Sequence, residues 1–179
     1  PLYKESKKSA GKQGERRIIV KGGCRNVINE AFRVMRTNFE FMNDKERESN
    51  VIITTSFNPG SGKTFLTMNL AAVLSIKGAK TLVIDGDLRR ATASEYIMYA
   101  TNGLSDYLSG GTNDIDSIIT TDTGYENLDV ITVGTPPPNP TELLNSERFE
   151  KLIEEMRKRY TYILIDCPPI DIIADTQII

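Results

Sequence analysis

Two glycines, a lysine and a threonine stand together at the end of the run Ser56-Phe57-Asn58-Pro59-Gly60-Ser61-Gly62-Lys63-Thr64. Gly60 and Gly62 allow the backbone to wrap closely, so that several N–H groups can point into one small space. A helix starting behind such a turn adds about half a positive charge at its N-terminus. Phosphate oxygens satisfy this arrangement. Lys63 can then reach the β- and γ-phosphates of a nucleotide, and the Thr64 hydroxyl can ligate Mg²⁺. Asn58, Pro59, Gly60, Ser61, Gly62, Lys63, Thr64 and Phe65 are therefore the expected nucleotide-binding segment. The pattern GxxxxGK[ST] would put its first glycine at position 57, where this chain has Phe57. A chance glycine turn is the bland alternative, and it leaves two carboxylate clusters unexplained.

The first cluster is Leu82-Val83-Ile84-Asp85-Gly86-Asp87-Leu88-Arg89, an apolar run that ends in two aspartates and an arginine. The second is Ile163-Leu164-Ile165-Asp166-Cys167-Pro168-Pro169. Open α/β sheets bind ligands beyond the C-terminal ends of their strands, where these aspartates fall. An aspartate after an apolar strand is often only a cap or turn residue, but convergence of three on one glycine loop favours phosphoryl transfer. Asp166 suits the carboxylate that holds Mg²⁺ directly or through water, with Thr64 and Asp85 as further metal-site candidates. Lys63, Asp85 and Asp87 are the catalytic candidates. Lys63 neutralises phosphate charge, Asp85 orients or deprotonates the acceptor hydroxyl, and Asp87 supports the metal site and acceptor pocket.

The elements that must position these residues follow from periodicity. Asn26 to Met42 carries Val27, Ile28, Ala31, Phe32, Met35, Phe39 and Met42 at three- and four-residue spacing, which predicts an amphipathic helix capped by Asn26. The charged stretch Asn43 to Asn50 separates it from the β-branched strand Val51 to Thr55. Thr64 to Lys77 reads as a helix that stops at Gly78. Further strands are predicted at Thr81 to Asp85, Leu128 to Val133 and Tyr162 to Ile165. Helical stretches are predicted at Leu104 to Leu108, Asp114 to Ile119 and Glu147 to Arg159. Strands apolar on both faces and alternating with helices predict an α/β fold in three layers, with a mainly parallel sheet and helices on both faces. The polar segment from position 1 to 25 reads as a linker or arm, and 26–179 as one P-loop domain.

Composition narrows the chemistry. Histidine is absent from the 179 residues, which removes His-based acid–base catalysis, Ser-His triads and His-ligated metals. The 22 basic and 24 acidic side chains leave a net charge of −2, so no global positive field favours nucleic acid or an anionic membrane. Cys24 and Cys167 lie far apart and show no CxxC spacing, which points to free thiols in a reducing, cytosolic compartment.

These three motifs together resemble the bacterial tyrosine kinases of capsule and exopolysaccharide assembly, the Wzc and CapB type, which are P-loop relatives of MinD and ParA. The resemblance runs from Asn26 to the end. It identifies Ser56 to Thr64 as a loose Walker A, Asp85-Gly86-Asp87-Leu88-Arg89 as Walker A′, and Asp166-Cys167-Pro168-Pro169 as Walker B. Glu30-Ala31-Phe32-Arg33-Val34-Met35-Arg36 matches an ExxRxxR motif that serves ring-like self-association in the family, and Glu30, Arg33 and Arg36 share one polar side of the helix. Thr135 to Phe149 is similar to the family's proline-rich stretch. The resemblance implies an ATP-dependent protein-tyrosine autokinase that uses ATP/ADP and Mg²⁺. Its implied partners are a membrane-anchored chain-length regulator, as a domain or subunit, and a cognate tyrosine phosphatase. The implied setting is a cytoplasmic domain at the bacterial inner membrane. Family members carry a tyrosine-rich tail, whereas the seven tyrosines here are scattered, so that tail and the last strands of the sheet are expected outside this chain. A MinD- or ParA-like ATPase switch is the first alternative, although the loop lacks an early second lysine. An ATP-binding assembly module without kinase activity is the other.

Overall fold

A computed structural model describes residues 18–42, 49–97 and 102–169. Most of the N-terminal arm, the charged stretch 43–48, Tyr99 and everything after Pro169 lie outside the described residues.

The order of elements is helix α1 (Val27–Met42), strand β1 (Asn50–Thr54), helix α2 (Lys63–Ile76), strand β2 (Thr81–Asp85) and a 3-10 helix (Thr92–Glu95). Helix α3 (Leu104–Leu108), a second 3-10 helix (Asp116–Ile118), β3 (Ile119–Thr120), β4 (Leu128–Ile131), α4 (Pro140–Leu144), α5 (Glu147–Arg159) and β5 (Tyr162–Asp166) follow. The sheet runs β1-β5-β2-β4-β3. All pairings are parallel except β3 with β4.

Every residue of β2 and β5 is buried, as expected of central parallel strands covered on both faces. Alternate side chains serve opposite faces. Leu82, Ile84, Ile131, Ile163 and Ile165 pack with α3, α4 and α5. Val83, Val130 and Leu164 pack with α1 and α2. This is the three-layer architecture expected from the sequence.

Three local outcomes differ from expectation. The helical reading of Asp114 to Ile119 shrinks to one 3-10 turn followed by the antiparallel edge strand β3. Along α1, only Asn29 and Phe32 are fully buried, with Met35 and Phe39 packed against the same core, while Val27, Ile28, Ala31 and Met42 are exposed. The apolar spacing is real, but helix rotation is set by the contact with α2. Finally, the domain begins before Asn26. The Ile19 and Val20 N–H groups both donate to Asn69 Oδ1, and the Tyr125 hydroxyl donates to the Val20 carbonyl. Val20 is buried in the α1–α2 core, so residues 18–21 are a packed strap.

Candidate functional site

The parallel register aligns the chemistry. Thr54, Asp166 and Asp85 are direct neighbours across the ends of β1, β5 and β2. Between β1 and α2 the glycine loop turns with Gly60 at φ 73° and Gly62 at φ 90°. A Cβ at either position would meet nothing within 4 Å, so glycine is required by backbone conformation and not by space. The turn aims the first N–H groups of α2, at Lys63 to Phe65, outward without intrahelical partners, the first intrahelical bond at this end being Leu66 N–H to the Gly62 carbonyl.

Above this helix end lies a cavity of about 240 Å³, lined by Gly60, Gly62, Lys63, Thr64 and Phe65 together with Asp87, Arg90, Thr92 and Tyr96. The Thr64 hydroxyl donates to Asp166 Oδ2 at 2.5 Å and lies 2.9 Å from the Thr92 hydroxyl. Asp166 is 1% exposed, and its second oxygen, Oδ1, is buried with no hydrogen-bond partner. Burial pushes the Asp166 carboxyl up to about 6, and the Asp87 charge adds to the rise, against the pull of the Thr64 hydroxyl and the Lys63 ammonium. A buried carboxylate oxygen without a donor is the defect that a cation or its water repairs, and the oxygen-rich Thr64–Asp166 pair suits Mg²⁺. Among the described residues no three His, Cys, Asp or Glu side chains gather as a ready-made metal cluster.

The structure separates the two aspartates after β2. Asp87 reaches the cavity wall and anchors its own loop by accepting the Arg90 N–H at 3.2 Å. Asp85 does not line the cavity. It is fully buried, and its oxygens accept the Asp87 N–H at 3.2 Å and the Ala93 N–H at 2.9 Å. Burial lifts its carboxyl well above the ordinary range, with the Asp166 and Asp87 charges adding and the Ala93 N–H opposing. Asp85, expected at the metal and the acceptor, thus stands behind the cavity lining in this structure, with one backbone N–H on each of its oxygens. Of the expected nucleotide segment, Asn58, Pro59 and Ser61 sit exposed on the loop outside the cavity lining. Phe57, in the place of the missing glycine, is 75% exposed. Arg90, Thr92 and Tyr96 were not legible as site residues. Their only signal is position, since they follow the strand-end aspartates by a few residues.

Glu30, Arg33 and Arg36 do not form one polar stripe. Arg33 donates to Glu30 at 2.5 Å and to the Cys24 carbonyl at 3.2 Å. Arg36 turns onto α2, donating to the Val73 carbonyl at 3.5 Å and approaching Glu40 at 3.7 Å. At about 100° per residue, Arg36 lies about 60° from Arg33 and about 120° from Glu30 around the helix, which carries it round to the docked face. Both cysteines are free, and burial pushes the Cys167 thiol up to about 12, which leaves it protonated and inert. A larger cleft of about 580 Å³ lies between α5 and the β1–β5 edge, but Glu150 and Glu154 in its lining disfavour a phosphate. Among the described residues no helix is long and apolar enough to cross a membrane.

The chain is similar to several known proteins in sequence and fold. The AAA domain family model matches residues 49–179. CapB of Staphylococcus aureus, named a putative tyrosine-protein kinase, is 40% identical over 156 residues, which is 86% of this chain and 67% of CapB. CpsD of Streptococcus pneumoniae, named a tyrosine-protein kinase, is 41% identical over 152 residues, 84% of this chain and 65% of CpsD. The chain therefore spans about two thirds of the length of these relatives. The chimerical protein CapA2B2 superposes with a TM-score of 0.80 at 37% identity, covering 90% of this chain and 70% of that one. The cell division ATPase MinD of Pyrococcus furiosus superposes with a TM-score of 0.61 at 28% identity, covering 72% of this chain and 54% of MinD. By these matches the chain belongs to the bacterial tyrosine-kinase family of the CapB and Wzc type, within the AAA domain class.

Proposed function

We propose that this chain is the catalytic domain of an ATP-dependent protein-tyrosine autokinase that regulates capsular or exopolysaccharide synthesis and export. The observation that carries it is the Thr64–Asp166 bond beside a cavity whose lining includes both Lys63 and Asp87. Relatives named tyrosine-protein kinases at about two thirds coverage supply the reaction class.

In this reading ATP or ADP lies with its phosphates on the N–H groups of Gly60 to Phe65, with the loop residues Asn58, Pro59 and Ser61 closing over them. Lys63 holds the β- and γ-phosphate oxygens and concentrates positive charge where negative charge is transferred. Thr64 and Asp166 are the residues that would hold Mg²⁺, which when bound neutralises phosphate oxygens. Asp87, at the cavity wall, takes the role that the sequence alone had given to Asp85. It orients the acceptor tyrosine hydroxyl and accepts its proton as the O–P bond forms and ADP departs. Self-association through α1, a membrane-anchored chain-length regulator, a cognate tyrosine phosphatase and a cytoplasmic location at the inner membrane complete the proposal. They follow from the resemblance to the family.

A MinD-like switch uses the same pocket, and the likeness to MinD gives it weight. The two readings part on the fate of the phosphoryl group. Full-length protein incubated with Mg-ATP should accumulate phosphotyrosine detectable by mass spectrometry, and Asp87→Asn should abolish it while still binding ADP. Phosphate release without phosphotyrosine would sink the kinase reading and favour the switch.

A further inference from the structure

The loop after β2 is tied down from beneath. Asp85 Oδ1 accepts the Asp87 N–H at 3.2 Å, and Oδ2 accepts the Ala93 N–H at 2.9 Å. The second bond joins the strand end to the first turn of the 3-10 helix, whose Ala93 is fully buried. It thereby fixes where Thr92 sits. The intervening residues are held as well, because the Arg90 and Ala91 N–H groups both donate to the Asp87 carbonyl.

Thr92 Oγ1 lies 2.9 Å from Thr64 Oγ1. A threonine hydroxyl carries one proton. Thr64 gives its proton to Asp166 Oδ2 at 2.5 Å, and a donor–carboxylate bond of that length is the stronger of the two claims on it. The Thr64 oxygen must therefore accept from Thr92. One of its lone pairs is then used, the other remains, and the two hydrogen bonds together set the direction of the free one. Without the Thr92 proton, the bond to Asp166 alone orients the Thr64 hydroxyl, and the direction of its free lone pair is less narrowly set.

We propose that Thr92 is a positioning residue for the Thr64 hydroxyl and that Asp85 contributes to this by holding the loop that carries Thr92. The inference rests on the reading of Thr64 and Asp166 as the metal-facing pair. It gives Asp85, which is buried directly opposite Asp166 in the strand register, a task in fixing Thr92.

The test uses the full-length protein with ADP, and Mn²⁺ as a paramagnetic probe of metal affinity. Thr92→Val removes the donor with little change of shape. It should weaken Mn²⁺ binding to the ADP complex about 3- to 10-fold, the worth of one hydrogen bond, and raise the Mg²⁺ needed for half-maximal phosphoryl transfer by the same factor. Thr92→Ser should restore both. Asp85→Asn, which leaves one backbone N–H facing an amide, should weaken Mn²⁺ binding in the same direction. Combined with Thr92→Val it should add little, because both act on one hydroxyl. Thermal unfolding midpoints establish that each variant folds, and Thr92→Ala replaces any Thr92→Val that does not. Wild-type Mn²⁺ affinity in Thr92→Val, failure of serine to restore it, or full additivity with Asp85→Asn would overturn the inference. A wild-type ADP complex that binds no Mn²⁺ would instead overturn the reading of the site on which it rests.

Discussion

Lys63 lines the cavity and Asp166 accepts the hydroxyl of Thr64, which also lines it, and the two make opposite predictions for binding and stability. Lys63 is half-buried at the first position of α2, and among the described residues its ammonium makes no hydrogen bond to the fold. Lys63→Met should therefore leave the unfolding midpoint nearly unchanged while lowering phosphoryl transfer at least ~10²-fold, as expected when a preorganised charge is removed; turnover at the wild-type level would reject its role. Asp166 is different, because its charge is buried at a cost in the nucleotide-free chain. Its folded carboxyl titrates at about 6 instead of 3.8, so the native state binds more protons than the unfolded state between those values. Stability must fall as pH rises through that window, by about 3 kcal/mol in total. In EDTA, Asp166→Asn should thus be more stable than wild type at pH 7.5, and the gap should close towards pH 4. A gap independent of pH in denaturant titrations would show that the carboxyl is not raised. At this scale the site was half legible in the sequence. Gly60, Gly62, Lys63, Thr64 and Asp166 stand out through a spacing that phosphate and metal chemistry would explain together. Asp85 and Asp87 could not be told apart there, because which of two alternate residues turns to the loop depends on where the chain goes after the strand. Thr92 was hidden for the same reason, since a hydroxyl contributed by a 3-10 turn has no periodic signature.

Strands and long helices were readable because their burial is periodic, and short elements were not, because tertiary contacts decide them. The central strands β2 and β5 read as continuous apolar runs, and α5 as an amphipathic helix with Arg157, Lys158 and Arg159 in its last turn. The edge strand β3 has two residues and forms only where β4 offers it partners. Helix α4 begins at Pro140, and a proline-rich stretch gives no helical period to detect. Two predictions belong here. The Ser146 side chain accepts the Phe149 N–H at the start of α5, so Ser146→Ala should cost about 1 kcal/mol of stability without altering nucleotide affinity. A loss of affinity at unchanged stability would mean that α5 communicates with the site. Gly103, before α3, is the more severe case, since a Cβ there would lie 2.2 Å from the Gly134 nitrogen and 2.5 Å from the Thr132 carbonyl oxygen. Those atoms belong to the backbone that bonds Leu104 and Ser105 to β4's extension, and they cannot move separately from the sheet. Gly103→Ala should destabilise by more than ~2 kcal/mol through this overlap, and a midpoint equal to wild type in urea titration would refute the close approach.

The whole molecule presents α1 as a helix that is docked on one side and bare on the other. Phe32, Met35 and Phe39 face α2, while Val27, Val34 and Phe41, spaced by seven, are 86%, 59% and 81% exposed. Apolar residues seven apart lie within about 20° of one another around a helix, so this bare side is one continuous strip, and Glu30 and Arg33 border it. The self-association expected of the family would be made from this side. Arg36 belongs to the other, because it bonds the Val73 carbonyl and stands beside Glu40, which also pairs with Lys77 at 2.7 Å. Replacing all of Glu30, Arg33 and Arg36 would mix two effects, loss of a contact between copies and loosening of α1 from α2. The discriminating pair is Glu30→Ala/Arg33→Ala against Arg36→Ala alone. The first should shift full-length protein towards monomers in sedimentation velocity, with ADP affinity and unfolding midpoint held within error, since an exposed ion pair is worth at most about 1 kcal/mol to the monomer. The second should lower the midpoint and disturb association only through that instability. Equal sedimentation for wild type and Glu30→Ala/Arg33→Ala would place the contact elsewhere. Dissociation by Arg36→Ala at an unchanged midpoint would mean that Arg36 leaves α2 to reach a neighbouring copy.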